Sequence, residues 1–319
     1  MSGGGEKAPG RVDYLVAGLG AVGSAVAVAL AGAGARVAAV TRRAGGCRWR
    51  RVTVEGLGGA VIPVCGWRHA AGMEAGLLVY AVKAYQLPAA VEEAEAAGLR
   101  VEAVAGLQNG LGSLELLEEV YGAHRAGAGI VYFGATRLPG GTVRLSSGGR
   151  VLVGCRRPPC SPWLRRFADM LAGRIQGVYV GDVEPHRWLK LAVNAAVNPV
   201  TVLAWGPNRV VAEDPWARAL AERLAGEAGR VAEEAGLRLP RDPVEAALAA
   251  AEATGDNCSS MLQDVAAGRE TEIDYINGAV ASTARRLGSA APFNEAVAAA
   301  VRLAAPGLRG RRLPCQARG

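Results

Sequence analysis

The chain has 319 residues, with 36 Lys and Arg against 29 Asp and Glu, a formal net charge of +7, half of its residues hydrophobic and 5% aromatic. That length suits two domains with sizeable cores, built mainly from Ala, Val and Leu. The excess of basic residues is spread out, apart from Arg42–Arg51 and the tail RGRRLPCQARG, and lacks the interleaved aromatics that stack on bases. An anionic small-molecule ligand is therefore expected rather than nucleic acid.

Residues 1–10 read as a flexible leader without the apolar core of a signal peptide, and no apolar run approaches membrane-spanning length. No membrane partner is expected, and the protein is read as cytoplasmic with mostly reduced thiols. The Arg-rich, Lys-poor, Ala-rich composition also fits a hyperthermophile, whose intracellular proteins are the exception that forms disulfides. The six cysteines (47, 65, 155, 160, 258 and 315) contain no CxxC, and the three histidines show no ligand spacing near them, so no metal is expected.

Residues 12–43 give an apolar strand, a glycine turn, an apolar helix and a second strand. The turn GLGAVG comprises Gly18, Leu19, Gly20, Ala21, Val22 and Gly23, with GxGxxG at the strand-to-helix junction. The first glycine allows a tight turn, the second admits a pyrophosphate, and the third lets helix and strand pack closely. Helix N-terminal amides then face the phosphates. An NAD site would usually carry Asp or Glu at the end of the second strand, about 20 residues after the glycines. This chain has Thr41, Arg42 and Arg43 there. Arg42, the nearer to the strand, is the candidate for a 2′-phosphate, which points to NADPH.

Two further strands end near Val82 and Leu107. The first offers Lys83 and Gln86, and the second Gln108, Asn109 and Gly110. In an open α/β sheet, loops beyond the carboxyl ends of strands line the ligand crevice. Asn109 suits a contact near the nicotinamide; the plainer reading of Asn109-Gly110 is a turn. Residues 127–154 read as hairpin material with turns at Pro139-Gly-Gly and Ser147-Gly-Gly. A loop, a helix over about 162–173 and a strand QGVYVG follow, and the domain break falls near Asp182.

From Glu184 onward the pattern is helical, over roughly 184–198, 214–236, 242–254, 259–267, 271–287 and 293–304, with Pro199 expected to kink or end the first. Lys190, Asn194 and Asn198 recur every four residues, drifting only ~80° in total, so they share one helical face amid Leu, Ala and Val. Lys appears only at positions 7, 83 and 190. A lysine pKa can be lowered towards neutrality by burial, whereas Arg keeps its proton, so Lys190 is the candidate proton donor. Its plainer reading is a helix lysine that snorkels to solvent. In the stretch 255–280, Ser260 has capping-box spacing to Gln263, and Thr271 can cap a helix with Glu272 in its first turn. Asn257, Ser260 and Glu272 are nonetheless placed to complement Lys190.

The strings GLGAVGS, AVKAYQ, LQNGLGS, RWLKLAVNAAVNPVTVLAWGPN and SSMLQDVAAGRETEIDYINGAV, in this order and spacing, resemble the ketopantoate reductase (2-dehydropantoate 2-reductase) family. The resemblance implies an α/β fold, with an N-terminal Rossmann-type doubly wound sheet followed by an all-α C-terminal domain. The residue pattern itself divides the chain into a leader over 1–10, domains over 11–182 and 183–306 and a basic tail over 307–319, and the resemblance implies NADPH binding in the first domain and substrate binding and catalysis in the second. The activity implied is NADPH-dependent reduction of ketopantoate to (R)-pantoate, on the route to pantothenate and coenzyme A. By motif, Lys190 resembles the catalytic lysine and Glu272 the essential carboxylate. Asn109 resembles the residue contacting nicotinamide and substrate, and Lys83 its neighbour in the site. Asn194, Asn198, Asn257 and Ser260 resemble substrate-binding positions, and Asn208, which closes the Lys190 stretch, is grouped with them. Arg42 resembles the residue that holds the 2′-phosphate. The 40–70 region and the basic tail have no clear counterpart. The alternatives are a sister reductase for another 2-keto or imino acid and a non-catalytic NADPH-binding sensor. A homodimer is kept open, since the sequence does not encode the assembly.

Overall fold

The computed structural model describes residues 8–145 and 149–315, and these divide into two compact units. One comprises residues up to Gln108 together with Ser113–Val183; the other comprises Asn109–Gly112 and the chain from Glu184 onward.

The first unit is an eleven-stranded sheet, among the described residues, with helices on both faces. Its strands are β1 (Arg11–Ala17), β2 (Val37–Val40), β3 (Cys47–Glu55), β4 (Gly58–Cys65), β5 (Glu74–Tyr80), β6 (Arg100–Gly106), β7 (Ala126–Val131), β8 (Ala135–Arg137), β9 (Val143–Leu145), β10 (Val151–Cys155) and β11 (Gly177–Asp182). Its helices are α1 (Ala21–Gly32), α2 (Leu87–Ala96), α3 (Ser113–Tyr121) and α4 (Pro162–Ile175). The central strands β2-β1-β5-β6-β7 are all parallel, and their apolar runs are buried on both faces, as a covered parallel sheet requires. From β1 the chain moves outward to β2, then crosses back to β5 on the other side of β1. The strand order therefore reverses between β1 and β5, the point at which such sheets open a ligand crevice beyond the carboxyl ends of their strands.

The region 47–65, to which the sequence assigned nothing, is an antiparallel hairpin of β3 and β4 that extends the sheet beyond β2. The turn expected at Pro139-Gly-Gly does join β8 and β9. Most of the turn at Ser147-Gly-Gly, most of the leader and the last four residues of the tail lie outside the described residues.

The second unit is helical: α5 (Glu184–Ala204), α6 (Val210–Glu213), α7 (Pro215–Glu234), α8 (Pro243–Ala253), α9 (Ser260–Ala266), α10 (Asn277–Arg286) and α11 (Pro292–Leu308). Helix α5 is apolar around most of its circumference and is buried along nearly its whole length, so it forms the centre of this unit. Of the two outcomes expected at Pro199, a kink or an end, the end does not occur: the helix continues to Ala204. Proline cannot donate to the carbonyl four residues back. Here that carbonyl, Ala195, accepts instead from the Nδ2 of fully buried Asn277 at 2.9 Å. The same Nδ2 reaches Asn294 Oδ1, whose own amide donates to Leu224 O and Glu227. Glu227 also accepts from the backbone amides of Phe293 and Asn294, capping α11 from a neighbouring helix.

Two capping expectations are corrected. Ser259, not Ser260, caps α9: its hydroxyl accepts from Leu262 N at 3.1 Å and bonds to the Thr201 hydroxyl at 2.7 Å. Thr271 caps nothing, because residues 273–276 form a turn and α10 begins only at Asn277. The turn is held instead by a tertiary bond, Leu111 N donating to the Tyr275 carbonyl at 2.9 Å.

The expectation of reduced thiols is also overturned. All six cysteines pair, as Cys47–Cys65, Cys155–Cys160 and Cys258–Cys315. The first pair follows from register, since β3 and β4 set Cys47 directly opposite Cys65.

Candidate active site

In the first unit, the glycine turn between β1 and α1 carries three different constraints. Gly18 has φ +96°, and a Cβ there would lie 2.8 Å from Val82 Cγ1. That left-handed backbone, pressed against the loop after β5, favours glycine. A Cβ on Gly23 would lie 2.0 Å from the Gly18 carbonyl oxygen, so this glycine lets α1 sit tightly on the turn. Gly20 differs, because a Cβ there would meet nothing within 4 Å. The protein does not need Gly20 for its own packing, so the position is open to close approach by a ligand. Leu19, Ala21 and Val22 are half-buried around the turn. The Leu19 carbonyl is held by the Ser24 hydroxyl and by Arg137 of β8, a residue that the sequence did not single out.

The loop after β5 places Lys83 and Gln86 at either end of a 3-10 turn, both half-buried. Gln108 pins this loop: its Nε2 donates to Tyr80 O at 2.8 Å and to Val82 O at 3.0 Å. The sequence offered Gln108 as a loop residue without a role; only the strand neighbours reveal that it braces the switch point. Arg42 and Arg43 are exposed after β2, as are Arg48 and Arg50 on β3. Among the described residues no carboxylate lies within ion-pair distance of these four. These guanidinium groups are available to an anionic part of a cofactor.

In the second unit, α5 presents Lys190, Asn194 and Asn198 on one face. Both asparagines are buried and Lys190 is half-buried. Desolvation lowers the Lys190 pKa from 10.5 to about 8. Asn194 Nδ2 donates to Asn109 Oδ1 at 3.3 Å, and Asn109 Nδ2 donates to Glu272 Oε2 at 3.2 Å. One amide, a second amide and a carboxylate thus form a chain that fixes which way the Asn109 amide points. Glu272 itself is 5% exposed. Gly110, at φ +84°, lets the Asn109 loop dock so closely that a Cβ would sit 2.0 Å from Tyr275 O. Asn109 is therefore both a turn residue and a member of the polar cluster.

The Asn198 side-chain amide has no hydrogen-bond partner among the described residues, although the residue is only 6% exposed. Asn198 shares its helix face with Lys190, about two turns away, so its free amide can meet a polar ligand on that face. Asn257, on the loop into α9, and Ser260, the first residue of that helix, are exposed. Asn208 is buried and holds that loop, donating from Nδ2 to Thr254 Oγ1 at 2.8 Å and from its backbone amide to Asn257 O at 2.9 Å. Among the described residues no cluster of three or more His, Cys, Asp or Glu is placed to bind a metal, and no helix is long and apolar enough to cross a membrane.

Two family models match the chain: "Ketopantoate reductase PanE/ApbA" over residues 14–158 and "Ketopantoate reductase PanE/ApbA C terminal" over residues 182–305. A 2-dehydropantoate 2-reductase of Pyrobaculum aerophilum is 39% identical over 224 residues, 70% of this chain and 75% of that one. Among solved structures, a 2-dehydropantoate 2-reductase from Geobacter metallireducens GS-15 superposes with a TM-score of 0.79 at 26% identity, covering 92% of this chain and 99% of its own. A D-mandelate dehydrogenase with NADH and anilino(oxo)acetate has the same TM-score at 20% identity, covering 93% and 99%, a likeness of fold alone. With both models matched in order across most of its length, the chain belongs to the ketopantoate reductase family of oxidoreductases.

Proposed function

We propose that the protein reduces ketopantoate to (R)-pantoate with NADPH, in the cytoplasm, as a step towards pantothenate and coenzyme A. The observation that carries this reading is Lys190, an amine with its pKa lowered to about 8, in line with two buried asparagines on α5. The first unit takes the cofactor: the open face of Gly20 and the amides at the start of α1 receive the pyrophosphate, and Arg42 the 2′-phosphate. Lys83 and Gln86 of this unit are assigned to the nicotinamide end, and Asn109, in the second unit, is assigned a contact to nicotinamide and substrate. When bound, NADPH supplies a hydride to the C2 ketone of the substrate.

As negative charge grows on the ketone oxygen, the Lys190 ammonium stabilises it and donates the proton. A pKa near the working pH suits that task, because the amine is mostly charged yet gives up its proton readily. Asn198 and Asn194 supply neutral donors and acceptors to the substrate, joined by Ser260, Asn257 and, at the edge of the loop, Asn208. Glu272 orients the Asn109 amide. Three disulfides in a cytoplasmic protein are the pattern of hyperthermophile proteins.

The test is oxidation of NADPH by purified protein with ketopantoate, with NADH and simpler 2-keto acids run in parallel. Turnover confined to NADPH and ketopantoate is expected. Turnover on other keto acids alone would move the protein to a sister reductase. Tight NADPH binding without turnover on any of them would make it a sensor.

A further inference from the structure

The β3–β4 hairpin brings two arginines to the place where a dinucleotide fold holds the adenosine ribose. Ala39 of β2 pairs with Val64 of β4, and Val64 pairs with Arg48 of β3; one step further in, Ile62 pairs with Arg50. Residues directly opposite each other across a sheet point to the same face. Val64 and Ile62 join the core under α1, together with Val26 and Leu30. Arg48 and Arg50 therefore rise on the α1 face, level with the end of β2, while Trp49 between them points away and is 60% exposed.

Beside these arginines lies a cavity of about 220 Å³, lined by Ala44, Gly45, Gly46, Arg48, Arg50 and Val64. Its floor is backbone and small residues, and its charge is wholly basic. The Cys47–Cys65 bridge fixes the residue before Arg48 to the end of β4, so the first arginine starts from an anchored position.

We propose that Arg48 and Arg50, with Arg42, form a cradle for the 2′-phosphate monoester of the cofactor, and that Arg48 is its main specificity-determining residue. This rests on the NADPH reading above. The end of β2 is where the ribose hydroxyls are held in this fold class, and planar guanidinium groups bind phosphate oxygens in pairs. The hairpin that carries both arginines is the part of the chain that the sequence motifs left without a role.

The test is equilibrium binding, by calorimetry, of four ligands to the full chain: NADPH, NADH, 2′,5′-ADP and 5′-AMP. The wild type should prefer NADPH to NADH and 2′,5′-ADP to 5′-AMP. Arg48→Ala should weaken both phosphorylated ligands about tenfold or more, the worth of one charge-assisted phosphate contact, and leave NADH and 5′-AMP within about twofold. Arg50→Ala should act in the same direction with a smaller effect, and Arg48→Glu should reverse the preference. Unchanged NADH binding in each variant shows that the fold is retained. A wild type without any 2′-phosphate preference would overturn the cofactor reading and this proposal together. A wild type with the preference, retained in Arg48→Ala and Arg48→Glu, would overturn this proposal alone.

Discussion

Replacing Lys190 with Met removes one charge from the centre of the helical unit while keeping an unbranched chain of similar volume. In the folded protein the Lys190 pKa is lowered from 10.5 to about 8 by desolvation. The unfolded chain therefore binds more protons between those two pH values, and wild-type stability rises as pH rises through that window. Below about pH 8 the folded state bears the full cost of the buried charge, about 3 kcal/mol from the size of the fall in pKa; above about pH 10.5 that cost is gone. Lys190→Met should thus be more stable than wild type at pH 7, by up to about 3 kcal/mol, and the advantage should shrink steadily towards pH 10.5. Urea unfolding of both proteins across pH 7–10.5 measures this, because every other titrating group is common to the pair and cancels. The same variant should lose about 100-fold or more in turnover, since its proton donor is gone. A Met variant that is no more stable at pH 7, or whose advantage is flat with pH, would refute the reasoning that desolvation sets the state of this amine. In the wild type, kcat/KM for ketone reduction should fall as pH rises past about 8, as the ammonium is lost.

The two glycines of the cofactor turn should separate folding from binding. Gly20→Ala should leave the thermal midpoint within about 2 °C of wild type yet weaken dinucleotide binding about tenfold or more, because the added methyl meets only the ligand's space. Gly23→Ala should destabilise the protein outright by about 1–3 kcal/mol, since its Cβ would overlap the Gly18 carbonyl. Asn277→Ala strips the substitute donor from Ala195 O and a bond from Asn294, and should cost about 2–4 kcal/mol in urea unfolding. Asn277→Ala combined with Pro199→Ala should recover part of that loss, because a backbone N–H then returns to the carbonyl. Glu272→Ala should lower kcat/KM for the ketone about tenfold or more through a misdirected Asn109 amide, with the dinucleotide Kd little changed; equal loss in dinucleotide affinity would argue against that division of labour.

What could be read from the chain alone was governed by short-range periodicity. The glycine turn, the four-residue spacing of Lys190, Asn194 and Asn198, and the parallel apolar strands need only neighbours within a turn or two to declare themselves. What stayed hidden depends on partners far along the chain. Asn277 meets Ala195 across 82 residues, so the continuation of α5 past Pro199 has no local sign. Adjacent serines at 259 and 260 are equivalent as letters, and the Thr201 hydroxyl helps fix the first as the cap. Glu272 was recognised as a carboxylate of the site, but its supposed helix start gives way to a turn whose carbonyl is claimed by Leu111. The cysteine pairs lacked a motif because their separations of 18, 5 and 57 residues acquire meaning only through strand register and chain return.

The Cys258–Cys315 bridge closes a covalent ring around α9, α10 and α11. Helix ends ordinarily fray residue by residue, and the last helix of a bundle is the first to peel away. A ring forbids that: α11 cannot lift from its C-terminal side without dragging the loop that carries Ser259, whose hydrogen bond to Thr201 ties it to the centre of the unit. In the oxidised protein the amides of these three helices should exchange with solvent as one cooperative block, with a common opening rate. Once the bridge is reduced, α11 becomes an independent unit of exchange, and the loop beside the Lys190 helix no longer feels its fluctuations.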